Sequence, residues 1–191
     1  VALQLPANNL TGNFSVLTQS SSSSLASTLL FINVSGNPQL AGSIGHGIGA
    51  FQQLQGLTAS SCQLSGQLPS YLANLSSLAT LELSSNALAG TIPPSILQAQ
   101  RLRILQLDSN QLSGSVPLQE LLSMPSLQRF SIRGNHLTGP LHLPNASLLQ
   151  PLQPDGDANS AVASITARSP PWHASLDDLD LGKNLVSSIM R

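Results

Sequence analysis

One residue recurs through this chain at a spacing that dictates how the rest must be arranged. An asparagine stands at Asn8, Asn37, Asn86, Asn110, Asn135 and Asn184, with Cys62 in the third place, and the intervals are 29, 25, 24, 24, 25 and 49 residues. A frame of apolar residues repeats around it. It is clearest in Leu78, Leu81, Leu83, Asn86, Leu88, Gly90, Ile92 and Pro93. The following copy reads Leu102, Leu105, Leu107, Asn110, Leu112, Gly114, Val116, Pro117, and the preceding one Leu54, Leu57, Ala59, Cys62, Leu64, Gly66, Leu68, Pro69. Self-similarity at such a period marks a stack of small units, each making contact with its neighbours.

Each slot in the frame has a physical reason. The alternation Leu81-x-Leu83 has the period of two expected of a short strand with one buried face. Copies one repeat apart stack as parallel strands, and the chain returns along the outer side. The Asn leaves the strand where the backbone turns. Its amide can satisfy buried N–H and C=O groups there, each of which costs roughly 1–3 kcal/mol if left unpaired. The Gly permits a tight path, and the Ile-Pro that follows supplies an extended element on the flank.

This frame resembles the leucine-rich repeat family, in its plant-type form with a Leu-x-Gly-x-Ile-Pro tail. The resemblance covers nearly the whole chain apart from residues 141 to about 174. It implies an α/β solenoid, a right-handed superhelix with a parallel sheet of about seven strands on its concave face. The family also tolerates Cys in the Asn slot as a small buried residue, so Cys62 is expected to be a structural thiol. Asn8, Asn37, Cys62, Asn86, Asn110, Asn135 and Asn184 are then the rungs of one structural ladder.

Composition agrees with a repeated unit. About one residue in five is Leu, while aromatics are 3% and charged residues 8% of the chain. A net charge of −1, with no basic stripe, argues against a nucleic-acid partner. No apolar run reaches the roughly 18–20 residues that span a bilayer, so attachment to a membrane is expected only through segments outside this chain. One cysteine excludes an intrachain disulfide.

The solenoid is expected to run from 1 to 191 as one domain, uncapped at both ends. Bare apolar ends would favour association of the isolated chain. Two stretches break the period. Ser20 to Ser24 read as a loop between the first two repeats. Residues 141–174 read as an inserted loop or a decayed repeat, since Asn159 falls 24 residues after Asn135 but Pro151, Pro154 and Gly156 fill the apolar slots.

Convergent reactive groups are missing from the sequence. His46, His136, His142 and His173 are scattered without metal-ligand spacing, and the acidic groups around Asp155 and Asp177 read as solvated charge. The expectation is a non-enzymatic chain without metal or cofactor. Recognition is expected instead on the concave face, from the variable residues around the two strand Leu positions. The central column reads Gln4, Asn33, Thr58, Glu82, Gln106, Ser131 and Asp180. Charge begins in the fourth repeat, and the candidate ligand-binding set is Glu82, Arg103, Gln106, Asp108, Arg129, Ser131 and Arg133. Asp108 and Arg133 are expected to be neighbours about 4.8 Å apart, either pairing with each other or with a ligand.

Five Asn-x-Ser/Thr sequons, at Asn9, Asn13, Asn33, Asn74 and Asn145, favour an extracellular chain. The resemblance implies a protein, peptide or carbohydrate ligand at a cell surface, in the ectodomain of a receptor-like kinase or receptor-like protein, with a co-receptor as a further partner. A secreted inhibitor of a wall-degrading hydrolase, similar to polygalacturonase inhibitors, and a cytoplasmic protein-binding scaffold are the alternatives.

Overall fold

The computed structural model describes residues 1–19, 26–138 and 178–180. Each of the first six repeats contributes one strand to each of two sheets, and the seventh adds a strand to the first. In chain order these are β1 (Ala2–Gln4), β2 (Thr11–Asn13), β3 (Phe31–Asn33), β4 (Gln39–Gly42), β5 (Gly56–Thr58), β6 (Gln63–Gln67), β7 (Thr80–Glu82), β8 (Ala87–Gly90), β9 (Ile104–Gln106), β10 (Gln111–Gly114), β11 (Arg129–Ser131), β12 (His136–Leu137) and β13 (Asp178–Asp180). The odd-numbered strands form a seven-stranded sheet in the order β1-β3-β5-β7-β9-β11-β13, on the concave side of the solenoid. The even-numbered ones form a six-stranded sheet, and the described pairings within both are parallel. Helical turns close the return path of the first five repeats. They are α1 (Ser15–Gln19), 3-10 helices at His46–Ala50, Ser70–Asn74 and Pro94–Gln98, and α2 (Leu118–Leu122).

The core is a set of columns running along the stack. Leu57, Leu81, Leu105 and Phe130 lie under the first sheet with no exposure, and Leu64, Leu88, Leu112 and Leu137 lie equally buried under the second. Ile48, Leu72, Ile96 and Leu121 seal the helical side, and Leu54, Leu78, Leu102 and Leu127 the return to the strand. Burying such a side chain stabilises by about 1.5–3 kcal/mol, but only against the copies above and below, so no repeat holds its shape alone.

The ladder amides bridge those copies. The Asn110 side chain donates to the Leu83 and Leu107 carbonyls at 3.0 and 3.1 Å and accepts from the Leu88 N–H at 3.0 Å. Asn86 does the same with Ala59, Leu83 and Leu64, and Asn135 with Leu107, Ile132 and Leu112. Asn37 accepts from both Asn8 and Leu10. Asn8 is exposed and reaches only the Pro6 carbonyl, while Asn184 lies outside the described residues.

Cys62 fills the same slot with half the chemistry. Its thiol donates to the Val34 carbonyl at 3.3 Å, but it offers no amide oxygen, and the Leu40 N–H turns instead to the Asn37 carbonyl at 2.9 Å. Burial pushes the thiol up from its ordinary value of 9.0, against the opposing pull of the Asn37 and Gly36 backbone groups.

Two backbone devices make the sharp corners. Among the described residues, the one just before each ladder position is left-handed, including the non-glycine residues Ser61, Ser85 and Ser109 at φ 57°, 57° and 52°. The tail glycine is left-handed too, and a Cβ on Gly114 at φ 86° would stand 2.9 Å from the Thr91 Cγ2.

The polyserine run and residues 141–174 lie outside the described residues. Among the described residues no helix is long and apolar enough to cross a membrane.

Candidate functional site

The register of the first sheet sets the open-face columns side by side. Gln4, Asn33, Thr58, Glu82, Gln106, Ser131 and Asp180 are successive Cα partners, and so are Ala2, Phe31, Gly56, Thr80, Ile104, Arg129 and Asp178. Their spacing along the stack is about 4.8 Å. The first three repeats present small neutral groups, except that the Phe31 ring lies across Gly56, 41% exposed. A side chain at position 56 would collide with that ring, since a Cβ there would be 2.9 Å from the Phe31 Cδ1. Glu82, Gln106, Ser131 and Arg129 follow on β7, β9 and β11. Of these Arg129 is exposed, Glu82 and Gln106 are half-buried and Ser131 is buried.

Asp108 is tied into the fold. Its carboxylate accepts the Ser131 hydroxyl, the Arg133 backbone N–H at 2.8 Å and the Ser84 hydroxyl at 3.4 Å. The same column does this elsewhere, for the Ser35 hydroxyl oxygen accepts the Ser60 N–H at 3.0 Å. A side-chain oxygen two residues beyond the strand therefore caps an N–H of the next repeat. Asp108 and Arg133 are neighbours as their spacing predicts, and one contact joining them runs through the Arg133 backbone.

Arg103 departs from the strand row. It stands one residue ahead of β9, where the Ala79 carbonyl accepts from both the Arg103 and Ile104 N–H groups, at 2.8 and 3.1 Å. Gln55 and Arg103 carbonyls each accept two consecutive N–H groups of the next repeat in the same way. Two residues facing one is the geometry of a β-bulge, and it recurs here along the margin of the sheet. Arg103 consequently lines a marginal groove with Arg101, a residue that the column reading passed over. The signal was present in the sequence as Arg101-Leu102-Arg103, two cations flanking a core leucine.

A second groove, of about 540 Å³, opens on the flank where the second sheet runs into the helical turns. His46 and Tyr71 meet edge to face there, with ring centroids 4.6 Å apart, beside Pro69, Pro93 and Pro94. Tyr71 was not singled out by the sequence, because it falls in a helical turn where residue types vary.

Among the sequons, Asn9, Asn13 and Asn74 are exposed. Asn33 is half-buried on β3, its side-chain oxygen accepting the Ser35 N–H at 3.1 Å, and Asn145 lies outside the described residues. Among the described residues no three of His, Cys, Asp and Glu gather as metal ligands would.

Comparison with known proteins agrees with this architecture. The Leucine Rich Repeat family model matches residues 53–75 and 77–99. No curated protein matches the sequence. Among solved structures, the plant peptide hormone receptor RGFR1 in complex with RGF2 is similar with 33% identity and a TM-score of 0.57, over 59% of this chain and 18% of that one. PEPR1–AtPEP1 aligns with 97% of this chain and 22% of that one, at 27% identity and a TM-score of 0.73. The BIR3–SERK2 complex from Arabidopsis thaliana contains a chain 34% identical to this one, at a TM-score of 0.61, with 72% of this chain and 69% of that one covered. The chain thus spans about a fifth of the length of the large receptors. The repeated frame, the two parallel sheets, the amide ladder and these likenesses together place the chain in the leucine-rich repeat family, beside plant receptor ectodomains.

Proposed function

We propose that this chain is a non-catalytic recognition module that binds a peptide or protein ligand across the charged half of its concave face. The observation that carries this reading is the register of β7, β9 and β11. It gathers Glu82, Gln106, Ser131 and Arg129 on one rigid sheet in a chain that is only 8% charged. A preorganised row of donors and acceptors suits an extended peptide, whose own backbone groups need partners, and rigidity lowers the ordering cost of binding.

The neighbours point the same way. RGFR1 is a peptide hormone receptor in complex with RGF2, and another neighbour is the receptor kinase HAESA in complex with the peptide hormone IDA and the co-receptor SERK1. By analogy this chain belongs to an extracellular receptor-like protein, and a co-receptor is its second partner. Nothing in the face or its neighbours favours a carbohydrate, a hydrolase target or a cytoplasmic scaffold over this reading.

The test is selection of peptides from a displayed library on the immobilised chain. Enriched peptides should lose at least about tenfold in affinity, or about 1.4 kcal/mol, on a chain carrying Glu82→Gln and Arg129→Gln. Enriched peptides that bind this variant as tightly as the original would sink the concave-face assignment.

A further inference from the structure

The margin of the first sheet carries a groove of about 460 Å³ lined by Gln55, Ser77, Ala79, Arg101, Arg103 and Ser126. These residues come from four consecutive repeats, so at about 4.8 Å per repeat the groove is about 14 Å long. Its cations sit in the middle. Arg101 and Arg103 are exposed on either side of Leu102, which is fully buried, and both line the groove. Neither guanidinium has a hydrogen bond or ion pair among the described residues. Around them stand neutral groups: Gln55 and Ser77 can donate and accept, while Ser126 gives its hydroxyl hydrogen to the Gln100 carbonyl at 2.8 Å and offers its oxygen as an acceptor.

We propose that this groove docks an acidic peptide segment, laid extended along the stack, with a carboxylate side chain held between Arg101 and Arg103. The site is separate from the row on β7, β9 and β11, and the inference goes beyond the concave-face reading. Charge complementarity selects the carboxylate, because two planar guanidinium forks offer paired N–H donors matched to its two oxygens. Length selects a peptide over a lone oxyanion. An extended chain rises about 3.3 Å per residue, so about four residues fill the groove, and the serine and glutamine side chains can serve their backbone. A polyanion such as nucleic acid would need a longer run of cations than this pair.

The test follows the arginine Nε–Hε resonances of the chain by NMR during titration with three probes: capped pentaglutamate, capped pentaglutamine and inorganic sulfate. Pentaglutamate should move the Arg101 and Arg103 resonances to saturation, with those of Arg129 and Arg133 stationary, and pentaglutamine should move none. Arg101→Gln with Arg103→Gln should weaken pentaglutamate at least about tenfold with no change in melting temperature, since both side chains are on the surface. Glu82→Gln should leave that affinity unchanged. Shifts that never saturate, that involve all arginines alike, or that survive the double substitution would overturn the site. Sulfate binding as tightly as the peptide would overturn the peptide assignment. Shifts confined to Arg129 and Arg133 would overturn the marginal groove and leave the concave-face reading standing.

Discussion

The ladder at the end of each first-sheet strand and the open face of that same sheet are only a few residues apart, yet they obey opposite rules. In the ladder, Asn86, Asn110 and Asn135 make the same three contacts in successive copies. On the open face, Thr58, Glu82 and Gln106 share one backbone geometry and nothing else. A buried amide is confined by three backbone groups that must be paired, whereas a side chain over the sheet is answerable to solvent. The difference teaches where selection for fold ends and room for recognition begins.

Breaking the ladder should have the largest effect. Asn110→Ala leaves the buried Leu88 N–H unpaired and takes one of two amide donors from each of the Leu83 and Leu107 carbonyls, so the loss should be about 1–3 kcal/mol, toward the upper end. Asn8→Ala, on an exposed rung, should cost under about 1 kcal/mol by the same denaturation measurement. Equal losses at the two sites would mean that the ladder owes nothing to burial.

The corners come next. Gly114→Ala forces a Cβ onto a left-handed residue and against Thr91, and should cost about 1–2 kcal/mol in chemical denaturation. A neutral result would show that the corner relaxes freely.

Cys62 is the natural exception that sharpens the comparison. Cys62→Asn supplies the missing amide, but the Leu40 N–H already has the Asn37 carbonyl, so stability should change by less than about 1 kcal/mol. The substitution should also remove a pH dependence. The folded thiol ionises above its ordinary value of 9.0, so below pH 9.0 both states are neutral and stability is intact. As pH rises further the unfolded chain ionises first, and stability falls until the folded pKa is passed. Melting curves of Cys62→Asn should lack that alkaline decline.

The smallest effect belongs to the open face. Arg129→Gln and Glu82→Gln should each stay within about 0.5 kcal/mol of the original stability. A larger loss at either would make that residue part of the frame.

What the sequence disclosed follows the same division. The frame was legible because it repeats. Aligning on Asn placed Glu82 beside Gln106 and Gln106 beside Ser131, as the register has them. The second sheet was less so. Leu-x-Gly reads as a strand-to-turn passage in one copy, and only stacking reveals that β6, β8 and β10 pair. The bulge ahead of β9 was invisible, because two N–H groups sharing one carbonyl leave no mark in residue type. For that reason the sequence alone groups Arg103 with the open-face set and gives Arg101 no role. The capping role of Asp108 was also hidden, since an aspartate suits a ligand site and a backbone cap equally well.

The central claim is that recognition occurs on the concave sheet while the helical side only supports it. A photo-crosslinking residue placed at Gln106 on β9, and separately at Gln98 in the third 3-10 helix, tests this directly against a peptide selected on the chain. The account predicts cross-linked peptide from position 106 and none from position 98. Cross-linking from position 98 alone would contradict it.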